Sequence, residues 1–266
     1  MASPATNKEA STSPVPDAKT IVTEEEKPVS TLPSDNFLIR GSDYVAQHPD
    51  FKLIGRDAEL AITAQSLMKR ENNNLVIFGQ AGVGVTSIVM GLQAGKADTN
   101  LPFDIVGKRF YWLDTDALFS SGDPAKVNAG FQKAMKALKE EPNTVLVIED
   151  TKDFLDGVKN TGTSNLINTL MRKARTNHKF QLVLQARESD LADLFKAHSD
   201  IRDIFTFQEV REPDKVTLYA MLESAVPALE AHHGIKVSSD ARKQVVELTL
   251  KYPGLDLPAA QPKRSV

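Results

Sequence analysis

A glycine-rich stretch at residues 79–84 narrows the range of folds open to this chain more than any other part of its sequence. It follows a short apolar run at residues 75–78, which is typical of a buried strand. Apolar residues then recur at helical spacing between Ile88 and Leu92. A strand, a glycine loop and a helix in this order allow backbone N–H groups to curl around a phosphate at the helix N-terminus. The stretch therefore predicts a phosphate-binding loop, and the alternative is a generic glycine turn before a helix.

The loop reads G-Q-A-G-V-G-V-T, against the phosphate-loop pattern G-x-x-x-x-G-K-[ST]. Val85 stands at the lysine position, and an isopropyl group cannot replace the point charge that neutralises the outer phosphates. The hydroxyl of Thr86 could reach a magnesium ion. The candidate nucleotide-binding residues are Gly79, Gly82, Gly84, Val85, Thr86 and Ser87.

A second element is the run V-L-V-I-E-D at residues 145–150, a strand that ends in two acids. Phosphate-loop ATPases place Asp first and Glu second at such a strand end, to hold magnesium and to activate water. Here Glu149 precedes Asp150, and a shift of about 1 Å in a catalytic group can cost about 100-fold in rate. If nucleotide binds, Thr86 and Glu149 are the expected metal-binding residues, and otherwise we expect no metal. The alternative is that the acids only cap a helix.

Apolar runs and helical spacings alternate along the rest of the first two hundred residues. Residues 109–113, 144–148 and 180–184 are typical of buried strands, whereas 131–139 and 164–175 have helical spacing. Short apolar strands separated by helices favour a parallel sheet covered by helices on both faces.

After Pro213 the pattern becomes purely helical, over residues 216–231 and 239–251. We therefore predict an α/β fold, a parallel sheet sandwiched by helices, followed by a small helical domain. The first 36 residues contain no aromatic residue and are expected to be disordered. The predicted ranges are 1–36 for this tail, 37–212 for the α/β domain, 213–258 for the helical domain and 259–266 for a C-terminal tail.

Composition excludes several classes of function. The formal net charge is −3, from 32 Lys and Arg against 35 Asp and Glu, so we expect no nucleic-acid partner. No apolar run approaches the roughly 20 residues that cross a bilayer and no signal peptide is evident, which favours a cytoplasmic protein without membrane insertion. The chain has no cysteine, which removes thiolate metal sites and cysteine nucleophiles.

Several further motifs resemble one family, the first ATPase module of the Clp-type AAA+ unfoldases. I-G-R-D at 54–57 is similar to that family's I-G-R-D-x-E, and Lys69-Arg70 followed by Asn72 to Asn74 is similar to its R-R-x-x-N-N. Glu212-Pro213 and H-H-G-I-K-V at 232–237 also match, and the likeness runs from about Gly41 to Pro258. The resemblance implies an AAA+ phosphate-loop fold with a helical lid, which the end of this chain would leave truncated.

The departures from the family pattern all predict a loss of ATPase and threading function. The two arginines that reach a neighbouring subunit's site fall on Asp203 and Ile204, and the sensor threonine falls on Ala186. The pore-loop aromatic that grips an unfolded chain falls on Val127. Loss of an arginine finger alone can cost about 10³ to 10⁵ in rate. A lysine from elsewhere, for instance Lys96 or Lys126, could compensate only for Val85.

The resemblance and its departures together imply a catalytically inactive AAA+-like protein. We expect a structural or adaptor subunit of a multi-subunit protein assembly, such as secretion, chaperone or proteolytic machinery. The alternative is a nucleotide-binding regulator or a slow, cryptic ATPase. We expect no cofactor, or weak ATP or ADP with magnesium, and we do not expect a nucleotide-dependent homohexamer.

Overall fold

A computed structural model describes residues 37–95, 101–177, 179–197, 200–252 and 261–263. The predicted N-terminal tail and Lys96 lie outside the described residues, as does most of the predicted C-terminal tail. None of the described helices is long and apolar enough to cross a membrane.

Six strands form one sheet in the order β1-β3-β4-β5-β2-β6. They are β1 Leu38–Arg40, β2 Asn74–Gly79, β3 Arg109–Leu113, β4 Thr144–Ile148, β5 Phe180–Arg187 and β6 Phe205–Val210. The five strands β3, β4, β5, β2 and β6 pair in parallel in this order, and β1 adds an antiparallel edge next to β3. The predicted α/β class with a mostly parallel sheet is confirmed.

Helices connect and flank these strands. They are α1 Gly41–Ala46, α2 Asp57–Met68, α3 Val85–Ala94, α4 Phe103–Val106, α5 Thr115–Phe119, α6 Pro124–Glu140, α7 Thr151–Thr161, α8 Asn165–Thr176, α9 Leu191–Ala197, α10 Ile201–Ile204, α11 Lys215–His233 and α12 Ser239–Lys251. Every residue of β4 is buried, as expected for a central strand of a parallel sheet covered on both faces. One cluster of buried apolar residues joins β2, β3 and β4 to α2 and α3.

Helices α11 and α12 pack against each other around a small apolar cluster of their own, built on Leu218, Leu222, Val226 and Val246. Asp214 caps α11 by accepting a hydrogen bond from the Thr217 N–H. The extent of α12 is that of the helical pattern in the sequence, residues 239–251. The domain boundary after Glu212 stays a prediction.

Helix α6 extends further toward the N-terminus than the helical pattern at 131–139 indicated. Asp123 accepts a hydrogen bond from the Ala125 N–H, and Pro124 occupies the first helical position. Both features favour a helix start, so the segment around Val127 is helical rather than a loop. The edge strands β1 and β6 were not predicted at all.

Candidate nucleotide-binding cleft

An open cleft of about 780 Å³ lies at the carboxyl ends of the parallel strands. The glycine loop between β2 and α3 forms one side, and the ends of β3, β4 and β5 form the other. Ligands of open α/β sheets bind in this crevice, because loops and helix N-termini converge there. All six candidate residues of the glycine loop line the cleft: Gly79, Gly82, Gly84, Val85, Thr86 and Ser87.

Backbone geometry explains why the loop needs its glycines. Gly82 and Gly84 have φ angles of +87° and +98°, in the left-handed region that side chains disfavour. A Cβ atom on Gly79 would lie 2.6 Å from the Val210 carbonyl oxygen, so the close approach of β6 requires glycine there. Gly84 precedes α3 and has no side chain that could cap the helix, so the first backbone N–H groups of α3 are not bonded to a capping side chain. The residues of this first turn line the cleft.

Arg56 of the I-G-R-D motif connects the glycine loop to the end of β6. Its buried guanidinium donates to the Val83 carbonyl at 2.8 Å and to the Arg211 carbonyl at 2.9 Å. It also pairs with Glu59 at 2.6 Å. The motif at the start of α2 therefore helps to fix the shape of the loop some 27 residues later.

The two acids at the end of β4 have different surroundings. Glu149 accepts a hydrogen bond from the Tyr44 hydroxyl at 2.5 Å, and the Thr86 hydroxyl lies 3.3 Å from its other oxygen. Asp150 caps α7 by accepting from the Asp153 N–H, and it pairs with Arg187 at 3.3 Å. Glu149 and Thr86 thus face each other where a magnesium ion could be held, whereas Asp150 has the helix-capping role that the sequence left as an alternative.

Tyr44 is a cleft residue that the sequence analysis missed. Its ring stacks on Trp112 with 4.6 Å between centroids and 7° between planes. Burial and the hydrogen bond to Glu149 both raise the pKa of the Tyr44 hydroxyl, which therefore remains a neutral donor. Tyrosine in a short surface helix carries no sequence signal, and only the sheet brings it next to Glu149.

Gln185 of β5 is a second missed residue. Its side chain is 2% exposed, and its Oε1 accepts a hydrogen bond from the Thr86 hydroxyl at 2.8 Å. Its Nε2 atom has no partner among the described residues, and the same holds for the buried Trp112 Nε1. Unpaired buried donors are costly, so these two atoms at the cleft wall favour a ligand or water with acceptor oxygens.

Charge is the property in which the cleft differs most from a phosphate site. Five carboxylates are among its described lining residues: Asp114, Asp116, Glu149, Asp150 and Asp153. Two cationic side chains, Arg187 and Lys263, oppose them. Burial and the neighbouring Asp150 raise the pKa of Asp153. The cleft fits a nucleotide in shape and in its Thr86–Glu149 pair, but its excess of acid repels phosphate unless a metal ion is bound.

The remaining candidate residues lie in three different places. Ala186 lines the cleft and presents only a methyl group. Asp203 and Ile204 belong to α10, where Asp203 is exposed and Ile204 is buried, and neither lines the cleft. Val127 is 1% exposed inside α6, packed in the core. No cluster of three or more His, Asp or Glu side chains that could hold a metal ion occurs in the described ranges.

Comparisons with known proteins place this geometry in context. No family model matches the chain. The chaperone ClpB of Yersinia enterocolitica is 29% identical over 212 residues, which cover 77% of this chain and 23% of ClpB. ClpB of Bacteroides thetaiotaomicron is 26% identical over 205 residues. The Clp protease ATP-binding subunit ClpL of Staphylococcus aureus is 26% identical over 204 residues, 75% of this chain and 29% of ClpL.

Solved structures of Hsp104 share the fold. A closed-state cryo-EM reconstruction of Hsp104 with ATPγS and FITC-casein has a TM-score of 0.74 at 21% identity, covering 86% of this chain and 38% of Hsp104. The Hsp104–ADP complex of S. cerevisiae has a TM-score of 0.69 at 20% identity. The chain spans about a quarter of the length of the curated relatives that it matches. Sequence and fold together show that this chain is a relative of the Clp-type AAA+ unfoldase modules.

Proposed function

We propose that this chain is a catalytically inactive AAA+-like subunit that has a structural or adaptor role in a larger protein assembly. Val85 carries most of the proposal. It lines the cleft at the start of α3, where a phosphate loop places its lysine, and a neutral side chain there leaves the outer phosphates without their main counter-charge.

The acid that would activate water supports the same conclusion. Asp150 is already engaged by the N-terminus of α7 and by Arg187. The Asp153 N–H is bonded to one oxygen of the Asp150 carboxylate and the Arg187 guanidinium lies against the other, so both oxygens are already engaged by groups other than a water molecule. Ala186 has only a methyl group at the position where the family has a threonine that senses the terminal phosphate.

The interior of α6 supports a role other than threading of unfolded chains. Val127, at the position of the pore-loop aromatic, is packed inside a helix and cannot grip a substrate. The proposed protein keeps the AAA+-type fold but lacks the phosphate-loop lysine, the sensor threonine and the pore aromatic. We therefore propose that it acts by binding other proteins within an assembly.

A steady-state phosphate-release assay on the full chain tests the inactive part. We expect turnover far below about 1 s⁻¹, the low end of ordinary enzymes. Glu149→Gln and Asp150→Asn should change nothing, and Glu188→Gln, an exposed carboxylate outside the cleft, is the matched control. Turnover of that order, lost in Glu149→Gln but kept in Glu188→Gln, would contradict the proposal.

Affinity purification of the intact chain from its own lysate, followed by mass spectrometry, tests the adaptor part. We expect a stoichiometric complex with other proteins. Recovery of the chain alone with bound nucleotide would instead favour the second candidate, a nucleotide-binding regulator. One observation supports that candidate: the glycine loop keeps its left-handed turns beside the unpaired Gln185 Nε2.

A further inference from the structure

The cleft has Val85 at the position of the phosphate-loop lysine, but another lysine lines it. Of the two compensating residues considered from the sequence, Lys126 lies in the first turn of α6 and does not line the cleft, and Lys96 lies outside the described residues. Lys263 does line it, together with Gly82, Gly84 and Val85. The side chain of Lys263 is exposed and makes no ion pair with any residue that the structure describes.

Two neighbouring residues hold Lys263 at this position. Gln261 is fully buried, and its N–H donates to Glu212 Oε1 at 3.0 Å, at the junction that precedes α11. Pro262 lines an apolar pocket together with Val83 of the glycine loop and Met221 of α11. Lys263 therefore follows a buried residue, and Pro262 beside it lines the same pocket as the glycine loop and the first helix of the helical pair.

The cleft around Lys263 is lined by more carboxylates than cationic groups. Arg187, one of those cationic groups, already pairs with Asp150. The Gln185 Nε2 atom, buried and unpaired, is a second and independent sign that an acceptor group belongs here. A flexible ammonium group with three donors is suited to phosphate oxygens, whichever part of the chain supplies it.

We propose that Lys263 replaces the missing phosphate-loop lysine and binds the phosphates of a nucleoside di- or triphosphate in the cleft. This inference rests on the nucleotide-binding candidate and is independent of whether the chain hydrolyses nucleotide. The proposal makes residues 261–263 part of the nucleotide-binding site.

Titration with a fluorescent ADP analogue and magnesium, followed by competition with unlabelled ADP and with adenosine, tests this role. We expect Lys263→Ala to weaken ADP binding by about 10- to 100-fold, the range for a lost hydrogen bond to a charged group. Adenosine affinity should not change, because the lysine acts on phosphate. Lys126→Ala is the matched control and should bind ADP as the unmodified chain does. Val85→Lys in the Lys263→Ala background should restore ADP affinity, because the charge returns at its usual position.

Each other result overturns the inference in a distinguishable way. Equal ADP affinity of the unmodified chain and Lys263→Ala would show a nucleotide site that does not use this lysine. Equal losses for ADP and adenosine would assign Lys263 a structural role. No ADP binding by the unmodified chain would remove the site altogether, while leaving the inactive-subunit proposal intact. Thermal unfolding of each variant confirms that the comparison is between folded proteins, and we expect unchanged melting temperatures for Lys263→Ala and Lys126→Ala, whose side chains are exposed.

Discussion

Arg56 shows how one residue can determine the shape of a loop far from it in sequence. Its guanidinium is 4% exposed and satisfies two backbone carbonyls, one in the glycine loop and one after β6. Both carbonyls and the Glu59 carboxylate would lose their partner if the side chain were removed. The I-G-R-D motif therefore has a structural role here that does not depend on nucleotide.

Replacement of Arg56 by alanine should destabilise the protein strongly. Removing one partner of a buried ion pair leaves an uncompensated charge, which costs about 3–5 kcal/mol, and Glu59 is partly exposed, so we expect about 3 kcal/mol. Urea unfolding of Arg56→Ala measures this loss. The exposed Arg172→Ala is the control and should lie within about 0.5 kcal/mol of the unmodified chain. Equal stabilities of the two variants would show that the loop does not need Arg56.

Val85→Lys should improve nucleotide binding without creating an ATPase. The new ammonium would lie at the start of α3 in the cleft and could add about 1–3 kcal/mol of affinity, as hydrogen bonds to charged groups do. Turnover should stay absent, because Asp150 remains engaged and Ala186 remains apolar. Nucleotide titration of the Val85→Lys protein measures the gain in affinity, and a phosphate-release assay on the same protein measures turnover. Hydrolysis restored by this single change would identify a cryptic ATPase.

Single residues also show where sequence reasoning succeeds and where it stops. The glycine positions and the capping by Asp150 are local in sequence, so the pattern could indicate them. The contacts of Glu149 with Tyr44 and of Thr86 with Gln185 join residues 105 and 99 positions apart. No local pattern encodes such pairs, because the sheet order decides which loops meet. Lys263 was missed for the same reason.

At the scale of elements, α6 is the clearest change from the resemblance. The stretch that resembles the pore loop, residues 126–131, lies inside α6, which has a strong helix start at Asp123 and Pro124, and the Val127 side chain is buried in the core. Asp123 and Pro124 are both visible in the sequence, but they lie outside the helical spacing of apolar residues that begins at Phe131.

Val127→Tyr should therefore destabilise the protein instead of supplying a gripping aromatic. Placing a phenol in a packed core forces neighbours to move and typically costs about 1–3 kcal/mol. Lys126→Tyr places the same ring on the exposed side of the first turn of α6 and is the control, with little expected change. Thermal unfolding distinguishes the two. Unchanged stability of Val127→Tyr would place this side chain outside the core.

The edge strands could not be predicted for physical reasons. Strand β1 has three residues, all only partly buried, and its pairing with β3 depends on long-range register, Leu38 with Leu113. Strand β6 alternates apolar and polar residues only over its first four positions, and two adjacent polar residues, Gln208 and Glu209, then break the pattern. The central strands β2, β4 and β5 were predicted because burial on both faces gives them continuous apolar runs.

At the scale of the whole molecule, fold and cleft chemistry are separable. The core that joins the sheet to α2 and α3 is closed by apolar side chains that do not depend on a bound phosphate. The proposed loss of the lysine, the sensor and the base from the cleft is therefore compatible with the AAA+ fold. That separation is what makes a purely architectural use of the fold physically reasonable.

We expect that nucleotide does not drive self-assembly of this chain. The resemblance implies rings in which nucleotide is held between one subunit's phosphate loop and the next subunit's arginines. Here the loop has Val85, and the positions of the arginines carry the exposed, negatively charged Asp203 and the buried Ile204. The interface half of that contact carries no cation, and Lys263, which belongs to the same subunit's cleft, cannot replace a contact made across an interface. Sedimentation velocity of the full chain should therefore give the same distribution with and without ATP and magnesium. The same run on Val85→Lys separates binding from assembly, because tighter nucleotide binding should still not produce a ring. A hexamer that forms only with ATP would mean that other residues provide the contact between subunits, and it would remove the main argument for an architectural subunit.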